Sequence, residues 1–150
     1  MVTAISDGDT LRVIYQNKPE RLRLIGIDAP ESKANERAIR ISRKSGQDLR
    51  TITGLGLRAL DYTRQLAPEG TELRLEFDVE RRDKFSRLLA YAHLPGGKML
   101  NDEIIRSGYA YPMSVPPNLR YRQLFKEAFE TARREKRGLW ADSRQPEPQR

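Results

Sequence analysis

Cysteine is absent from the chain, and histidine occurs once, at His93. The first absence excludes disulfides, zinc–thiolate centres, iron–sulfur clusters and cysteine nucleophiles. The second leaves no partner for a polyhistidine metal site, so any metal here is expected to be a hard cation held by oxygen. Long apolar runs are also missing, and none approaches the ~20 residues of a membrane span. No secretory n-region and h-region are visible, because strand-like residues begin at Val2. Aromatic residues are few, but aliphatic ones suffice for a core, and 150 residues point to one domain.

Charge is present in abundance. The chain carries 28 Lys and Arg against 21 Asp and Glu, a net charge of +7, and the excess is mostly arginine. Arginine's planar fork matches phosphate oxygens, so polyanions are the natural partner class. A soluble protein with a basic, solvated surface has the same composition, and charge alone does not separate the two.

The apolar pattern begins with three short strands. Val2 to Ile5, Thr10 to Tyr15 and Arg21 to Ile27 are joined by the turn signals Asp7-Gly8-Asp9 and Asn17-Lys18-Pro19, which makes an antiparallel meander. Gly26 inside the third run predicts a bulge or a close backbone approach, and Pro30 ends the strand. Ser32 to Thr53 is polar and arginine-rich, and reads as a mobile surface loop with a helical turn. Its cations Lys33, Arg37, Arg40, Arg43, Lys44 and Arg50 suit either a nucleic-acid backbone or solvent.

Thr51 or Thr53 is the expected cap of a helix running to Leu66, with Leu55, Ala59, Tyr62 and Leu66 on one stripe. Thr71 to Val79 alternates as a strand, Arg81 to Lys84 is a charged turn, and Arg87 to Leu94 is the partner strand. Asn101 or Asp102 is expected to cap a short helix ending near Gly108, followed by an irregular loop from Tyr109 to Asn118. Leu119 to Lys136 reads as the longest helix. Its stripe of Tyr121, Leu124, Phe125, Ala128, Phe129 and Ala132 is core, and Leu139-Trp140 pins the chain end. Residues 142–150 read as a disordered tail. Five strands interleaved with three helices predict an α+β domain over residues 1–141, centred on a five-stranded OB-type barrel, with an open antiparallel sheet as the alternative.

Two acidic clusters can carry chemistry. Asp7 and Asp9 flank Gly8, an arrangement that alone is an ordinary hairpin turn. Asp28-Ala29-Pro30-Glu31 places one carboxylate at a strand end and another just past a proline, which is also a common way to start a helix. Together they offer an oxygen shell for calcium: Asp9 and Asp28 as direct ligands, the Ala29 carbonyl beside them, and Asp7 through water. Glu31 is then placed to orient or deprotonate an attacking water. Arg23 and Arg87 are the two candidate clamps for charge building on a phosphodiester, although a strand arginine flanked by leucines is by itself more often a surface residue. Strict alternation puts Arg23 and Asp28 on opposite faces, so a break at Gly26 is required to join them.

The motifs DGDT, RLRLIGIDAPE and DKFSRLLAY, a helix ending near Gly108 and a late GLW fall in order from Val2 to Trp140. As a set they resemble the staphylococcal nuclease (thermonuclease) family. That resemblance implies an OB-fold barrel with three helices and a calcium-dependent phosphodiesterase acting on DNA and RNA. Water attacks phosphorus there, and 3′-phosphorylated products result. By position it assigns Asp9, Asp28, the Ala29 carbonyl and outer-shell Asp7 to calcium, and Arg23, Glu31 and Arg87 to catalysis. Lys84 and Phe85 match contacts to a terminal nucleotide phosphate, and Tyr109 and Tyr111 approximate base-stacking tyrosines. The best-known member has tyrosine in place of Phe85 and threonine in place of Ala29. A hydroxyl contact is lost in the first case, while a backbone ligand survives the second. The resemblance favours a secreted or envelope location, and nothing in the sequence demands more than a monomer. The competing readings are a catalytically silent barrel that binds nucleic acid or protein, and a plain oligonucleotide-binding OB-fold. In the latter, carboxylates beside phosphate would be counterproductive.

Overall fold

A computed structural model describes residues 1–33, 39, 40, 43 and 49–141, with the side chains of 49, 50 and 52 left aside. The loop expected at 34–38, 41–42 and 44–48 and the tail expected at 142–150 lie outside the described residues. Strands β1 (Val2–Asp7), β2 (Thr10–Tyr15) and β3 (Lys18–Leu24) form the antiparallel meander, in register from Thr10↔Arg23 to Tyr15↔Lys18. Helix α1 (Leu49–Leu66) follows, then β5 (Arg74–Glu76) and β6 (Leu88–His93), with the two-residue β4 (Ile27–Asp28) before them all. Helix α2 (Leu100–Arg106), β7 (Tyr111–Pro112) and helix α3 (Arg122–Arg134) complete the fold, and a 3₁₀ turn spans Gly138–Ala141.

The main sheet has the order β1-β2-β3-β6-β5, antiparallel except for the β3–β6 pair, and β4 pairs with β7 in a second, two-stranded sheet. A five-stranded main sheet with three helices matches the α+β expectation. Val2 donates its N–H to Thr71 O at 2.9 Å and accepts from Gly70 N at 2.8 Å, which ties the start of β1 to the segment leading into β5. No helix among the described residues is long and apolar enough to cross a membrane.

Several boundaries differ from the sequence reading. Helix α1 begins at Leu49, so Thr51 and Thr53 lie inside it and not at its N-terminus, and at 18 residues it exceeds the 13 of α3. Gly54 and Gly56 weaken the helical signal of that stretch; packing restores it. Helix α2 starts at Leu100 with Met99 at its N-cap, because Asn101 is used otherwise. The Asn101 side chain is fully buried, accepts the Ala92 N–H and donates to Ile25 O at 2.8 Å. It thereby pins the chain beside Gly26. In the strand expected at Thr71–Val79 only Arg74–Glu76 join the ladder, and Val79 is 70% exposed, away from the core.

One hydrophobic core gathers Val2, Leu11, Val13, Leu22, Leu24 and Leu88 from the sheet with Ala59, Ile104, Ile105, Phe125 and Ala128 from the helices. On α3 the buried residues Phe125, Ala128 and Ala132 recur at helical spacing. Full burial of one side chain such as Phe125 stabilises by ~1.5–3 kcal/mol relative to exposure. Its ring also meets Tyr91 and Tyr121 at 6.1 and 6.2 Å between centroids.

Candidate active site

The hairpin between β1 and β2 is held from behind by α1. Thr63 Oγ1 donates to Gly8 O at 2.8 Å, and a Cβ on Gly8 would meet Ala29 Cβ at 2.8 Å and Ala59 Cβ at 3.0 Å. This close approach turns Asp9 inward, where it is 5% exposed. Its carboxylate accepts the Ala29 N–H at 2.8 Å and the Thr10 hydroxyl at 3.0 Å. Asp7 points elsewhere: its Oδ1 accepts both the backbone N–H (3.1 Å) and the hydroxyl of Ser32. The two aspartates of one turn therefore grip the two ends of the Ala29–Ser32 segment.

The break required near Gly26 is present. Strand β3 ends at Leu24, and Gly26 takes a φ of +82°, with the Phe125 ring where a Cβ would stand. Gly26 O accepts the Met113 N–H at 2.8 Å, and β4 resumes as a partner of β7, with Asp28 opposite Tyr111. This change of direction brings Arg23 and Asp28 together despite their opposite parity. Arg23 Nη2 lies 3.4 Å from Asp9 Oδ2 and 3.9 Å from Asp28 Oδ1, while Nη1 donates to Leu24 O at 2.8 Å. Asp28 is 3% exposed.

Glu31 is also buried, and a glycine places it. A Cβ at Gly56 of α1 would fall 2.0 Å from Glu31 O and 2.5 Å from Ser32 N, so the helix lies directly against this backbone. Across from the acidic cluster, Arg87 is oriented by Asp83. The Asp83 carboxylate accepts Arg87 Nε at 2.7 Å, the Arg87 N–H at 3.0 Å and the Phe85 N–H at 2.9 Å. Burial pushes the Asp83 carboxyl up, but the bonds from Arg87 and Phe85 outweigh it and hold the group below the ordinary range.

Arg23, Lys84 and Arg87 line one cleft of about 340 Å³. Phe85 stands at its rim, 54% exposed, with Lys84 Nζ and the Arg87 guanidinium 5.2 and 5.5 Å from its ring centre. Tyr109 and Tyr111 are placed differently. The Tyr109 ring stacks on Tyr62 at 4.4 Å, and Tyr111 packs 5.3 Å from Trp140. Neither lines the cleft. Residues 24–27, Glu80, Asp83 and Leu89 also line it, and one wall is Met113, Val115, Pro116 and Asn118, from the loop that the sequence showed only as irregular. Asn118 fixes that loop by accepting the Glu80 N–H at 2.9 Å and donating to Glu80 O at 3.0 Å. Sequence reading missed Asp83, Gly56 and Asn118, each of which acts through a neighbour. The spacing of Asp83 four residues before Arg87 was the one visible signal.

Among the described residues, no three His, Cys, Asp or Glu side chains cluster closely enough to hold a metal by side chains alone. Asp9 and Asp28 are linked through Arg23.

Residues 21–142 match the family model described as staphylococcal nuclease homologue. The chain is 32% identical over 141 residues to the thermonuclease of Staphylococcus intermedius, covering 93% of this chain and 74% of that protein. It is 30% identical over 142 residues to the thermonuclease of Staphylococcus hyicus, with coverages of 94% and 75%. A Bacillus subtilis (strain 168) protein named endonuclease YncB is 32% identical over 139 residues, 91% of this chain and 59% of that one. With the break at Gly26 and the paired carboxylates at Arg23, these matches leave one conclusion: the chain belongs to the family of staphylococcal nuclease homologues.

Proposed function

We propose that this protein is a calcium-dependent phosphodiesterase that hydrolyses DNA and RNA by attack of water on phosphorus, leaving 3′-phosphorylated products. The observation that carries the proposal is Arg23, which faces two buried carboxylates and lines a cleft shared with Lys84 and Arg87. Relatives named thermonuclease and endonuclease support the reaction class. In this reading residues 1–141 are one domain, and the five strands curl into an OB-type barrel.

The donor set fits a hard cation. All side-chain donors are oxygens, and Asp9 and Asp28 are nearly inaccessible to solvent. Two carboxylates fall short of the 6–8 oxygens that calcium takes, so the Ala29 carbonyl and waters would complete the set, with Asp7 acting through water. Asp7 suits that outer position because Ser32 already holds its carboxylate. When bound, calcium supplies Lewis-acid charge at the scissile phosphate.

The chain's own groups do the rest. Glu31 orients the attacking water and accepts its proton. Arg23 and Arg87 donate to the equatorial oxygens, where charge increases on the way to the transition state. Arg87 bonds Asp83 through Nε, which leaves its two terminal nitrogens for phosphate. Lys84 and Phe85 hold the neighbouring nucleotide, and Met113, Val115 and Pro116 give the bases an apolar wall. Tyr109 and Tyr111 support that wall from within the fold.

The test is degradation of single-stranded DNA and RNA with calcium and then with chelator. Cleavage is expected only with calcium. Arg23→Ala and Arg87→Ala are each expected to lose ~10²–10³ in kcat, the effect of removing one preorganised donor. Cleavage that survives both substitutions unchanged rules the mechanism out.

A further inference from the structure

A second recess lies on the outer face of the sheet, and the chemistry above does not use it. It has a volume of about 460 Å³ and is lined chiefly by Thr3, Arg12, Glu20, Arg21, Arg82 and Ser86. Its charges work against the fold. Arg12 and Arg21 stand directly opposite each other in the β2–β3 ladder, both exposed. Like charges in that relation destabilise an antiparallel pair. The one acidic side chain of the recess, Glu20, is taken by Arg82 through bonds of 3.0 and 2.7 Å. Three arginines against one glutamate leave the groove strongly positive.

The groove continues the cleft. Strand alternation puts Arg21 on the same face as Arg23, two residues and ~6.6 Å away along β3. Arg23 lines the cleft and Arg21 the groove. The loop 82–87 divides them: Asp83, Lys84 and Arg87 face the cleft, whereas Arg82 and Ser86 face the groove. Arg21 Nη2 donates to Phe85 O at 2.5 Å and so anchors the divider, on which the Phe85 ring is exposed.

We propose that this groove is a second nucleic-acid site, which holds the phosphate backbone of the single-stranded flank when the scissile phosphate lies in the cleft. The strand crosses the divider at Phe85, whose face suits base stacking. The ligand class is a polynucleotide long enough to span both recesses; a very short one reaches only the cleft. The inference rests on the reading of the chain as a nuclease, but its test does not need cleavage.

The probes are fluorescein-labelled single-stranded DNAs of about 4 and about 16 nucleotides, the range of site sizes on OB-type folds. Binding is read by anisotropy with chelator present, over a series of salt concentrations. Arg12→Ala is expected to weaken the longer probe several-fold and to reduce its salt slope by about 0.7, one phosphate contact on a single strand. The shorter probe is expected to bind as before, and Arg12→Glu to weaken the longer one further. Melting of Arg12→Ala is expected to be unchanged or higher, since an opposed like charge is gone. Arg58→Ala, an exposed arginine of α1 outside both recesses, is the control. The proposal is overturned if Arg12→Ala weakens the longer probe no more than Arg58→Ala does, or weakens both probes equally. Tight binding of wild type without cleavage in calcium would instead refute the nuclease reading and leave the groove result standing.

Discussion

Helix α1 contains two glycines two residues apart, and the structure gives them opposite roles. Among the described residues an ideal Cβ on Gly54 meets nothing within 4 Å, whereas one on Gly56 would fall 2.0 Å from Glu31 O, 2.2 Å from Glu31 C and 2.5 Å from Ser32 N. Alanine in place of an interior helical glycine ordinarily stabilises by ~1 kcal/mol. Gly54→Ala is expected to show that gain, a rise of ~2–4 °C in Tm for a chain of this length, with activity unchanged. Gly56→Ala gains the same propensity but places a methyl group inside backbone, which cannot rotate away. Overpacking of that kind costs ~1–3 kcal/mol, and at such short distances the upper end applies, so the net change is a loss of ~2 kcal/mol. The pushed segment carries Glu31, and its Ser32 end is bound to Asp7. Relief therefore displaces Glu31 relative to Asp9 and Asp28, and kcat is expected to fall ~10²-fold, as a 1 Å misplacement can cause. Circular-dichroism melting and a single-stranded DNA cleavage assay on the two variants decide the matter. If Gly56→Ala is stabilised like Gly54→Ala and cleaves at the wild-type rate, the close contact is not what places Glu31.

Gly26→Ala is expected to destabilise, because its φ of +82° costs an L residue ~1–2 kcal/mol and its Cβ would overlap the Phe125 ring; a wild-type melting curve would refute this. Asp83→Asn keeps the side chain's shape but removes the charge that orients Arg87, so kcat should fall with KM little changed, and an equal fall in Arg87→Ala and in the double variant would show that both act through one guanidinium. Glu76, Asp78 and Asp83 are each held below the ordinary carboxyl range. Burial pushes them up, but bonds from His93, Arg120 and Tyr121 to Glu76, and from Tyr91, Arg120 and Val79 to Asp78, outweigh it. Their stabilising effect is complete above the unfolded pKa of ~4 and is lost as pH falls through the lower folded values. Denaturant midpoints should therefore drop below about pH 4, less steeply in Glu76→Gln; an unaltered pH slope in that variant counts against the assignment.

The meander was legible because two-residue periodicity and glycine-rich turns are local signals, and so was the need for a break at Gly26. Alternation alone showed that Arg23 and Asp28 could not meet without one. What α1 does was hidden: Gly54 and Gly56 fell inside the expected helix with no role of their own, and only the packed structure shows that Gly56 is an open place for the Glu31 carbonyl. The wall of the cleft was hidden for a related reason. Tyr109 and Tyr111 attracted notice as aromatics, yet β7 pairs Tyr111 with Asp28 and turns the chain so that Met113, Val115 and Pro116 face the cleft. Pairing over long sequence separations determines which side of an irregular loop looks outward, and no local pattern encodes it.

The two arginines of the cleft are held in different ways, which bears on their division of labour. Arg87 is bound at 2.7 Å through Nε to a carboxylate on its own loop, a length typical of a strong charge-assisted bond. It is a fixed donor whose terminal nitrogens keep one position. Among the described residues, Arg23 is bonded at 2.8 Å only to the carbonyl of Leu24, and its approaches to Asp9 and Asp28 are 3.4 and 3.9 Å, too long for such bonds. Arg23 thus moderates the repulsion between two buried carboxylates without engaging either fully. In the calcium-dependent reading proposed above, Asp9 and Asp28 would hold a cation that takes over that role, which would leave the Nη2 end of Arg23 to a phosphate oxygen. Cation and substrate would then reinforce each other's binding through Arg23. Calcium should bind more tightly with a nucleotide phosphate present than without it, and reciprocally by the same factor. In Arg23→Ala that mutual enhancement should shrink even where each ligand still binds alone. Titration calorimetry of calcium with and without a nucleoside bisphosphate measures it, and equal coupling in wild type and variant would refute the role given to Arg23.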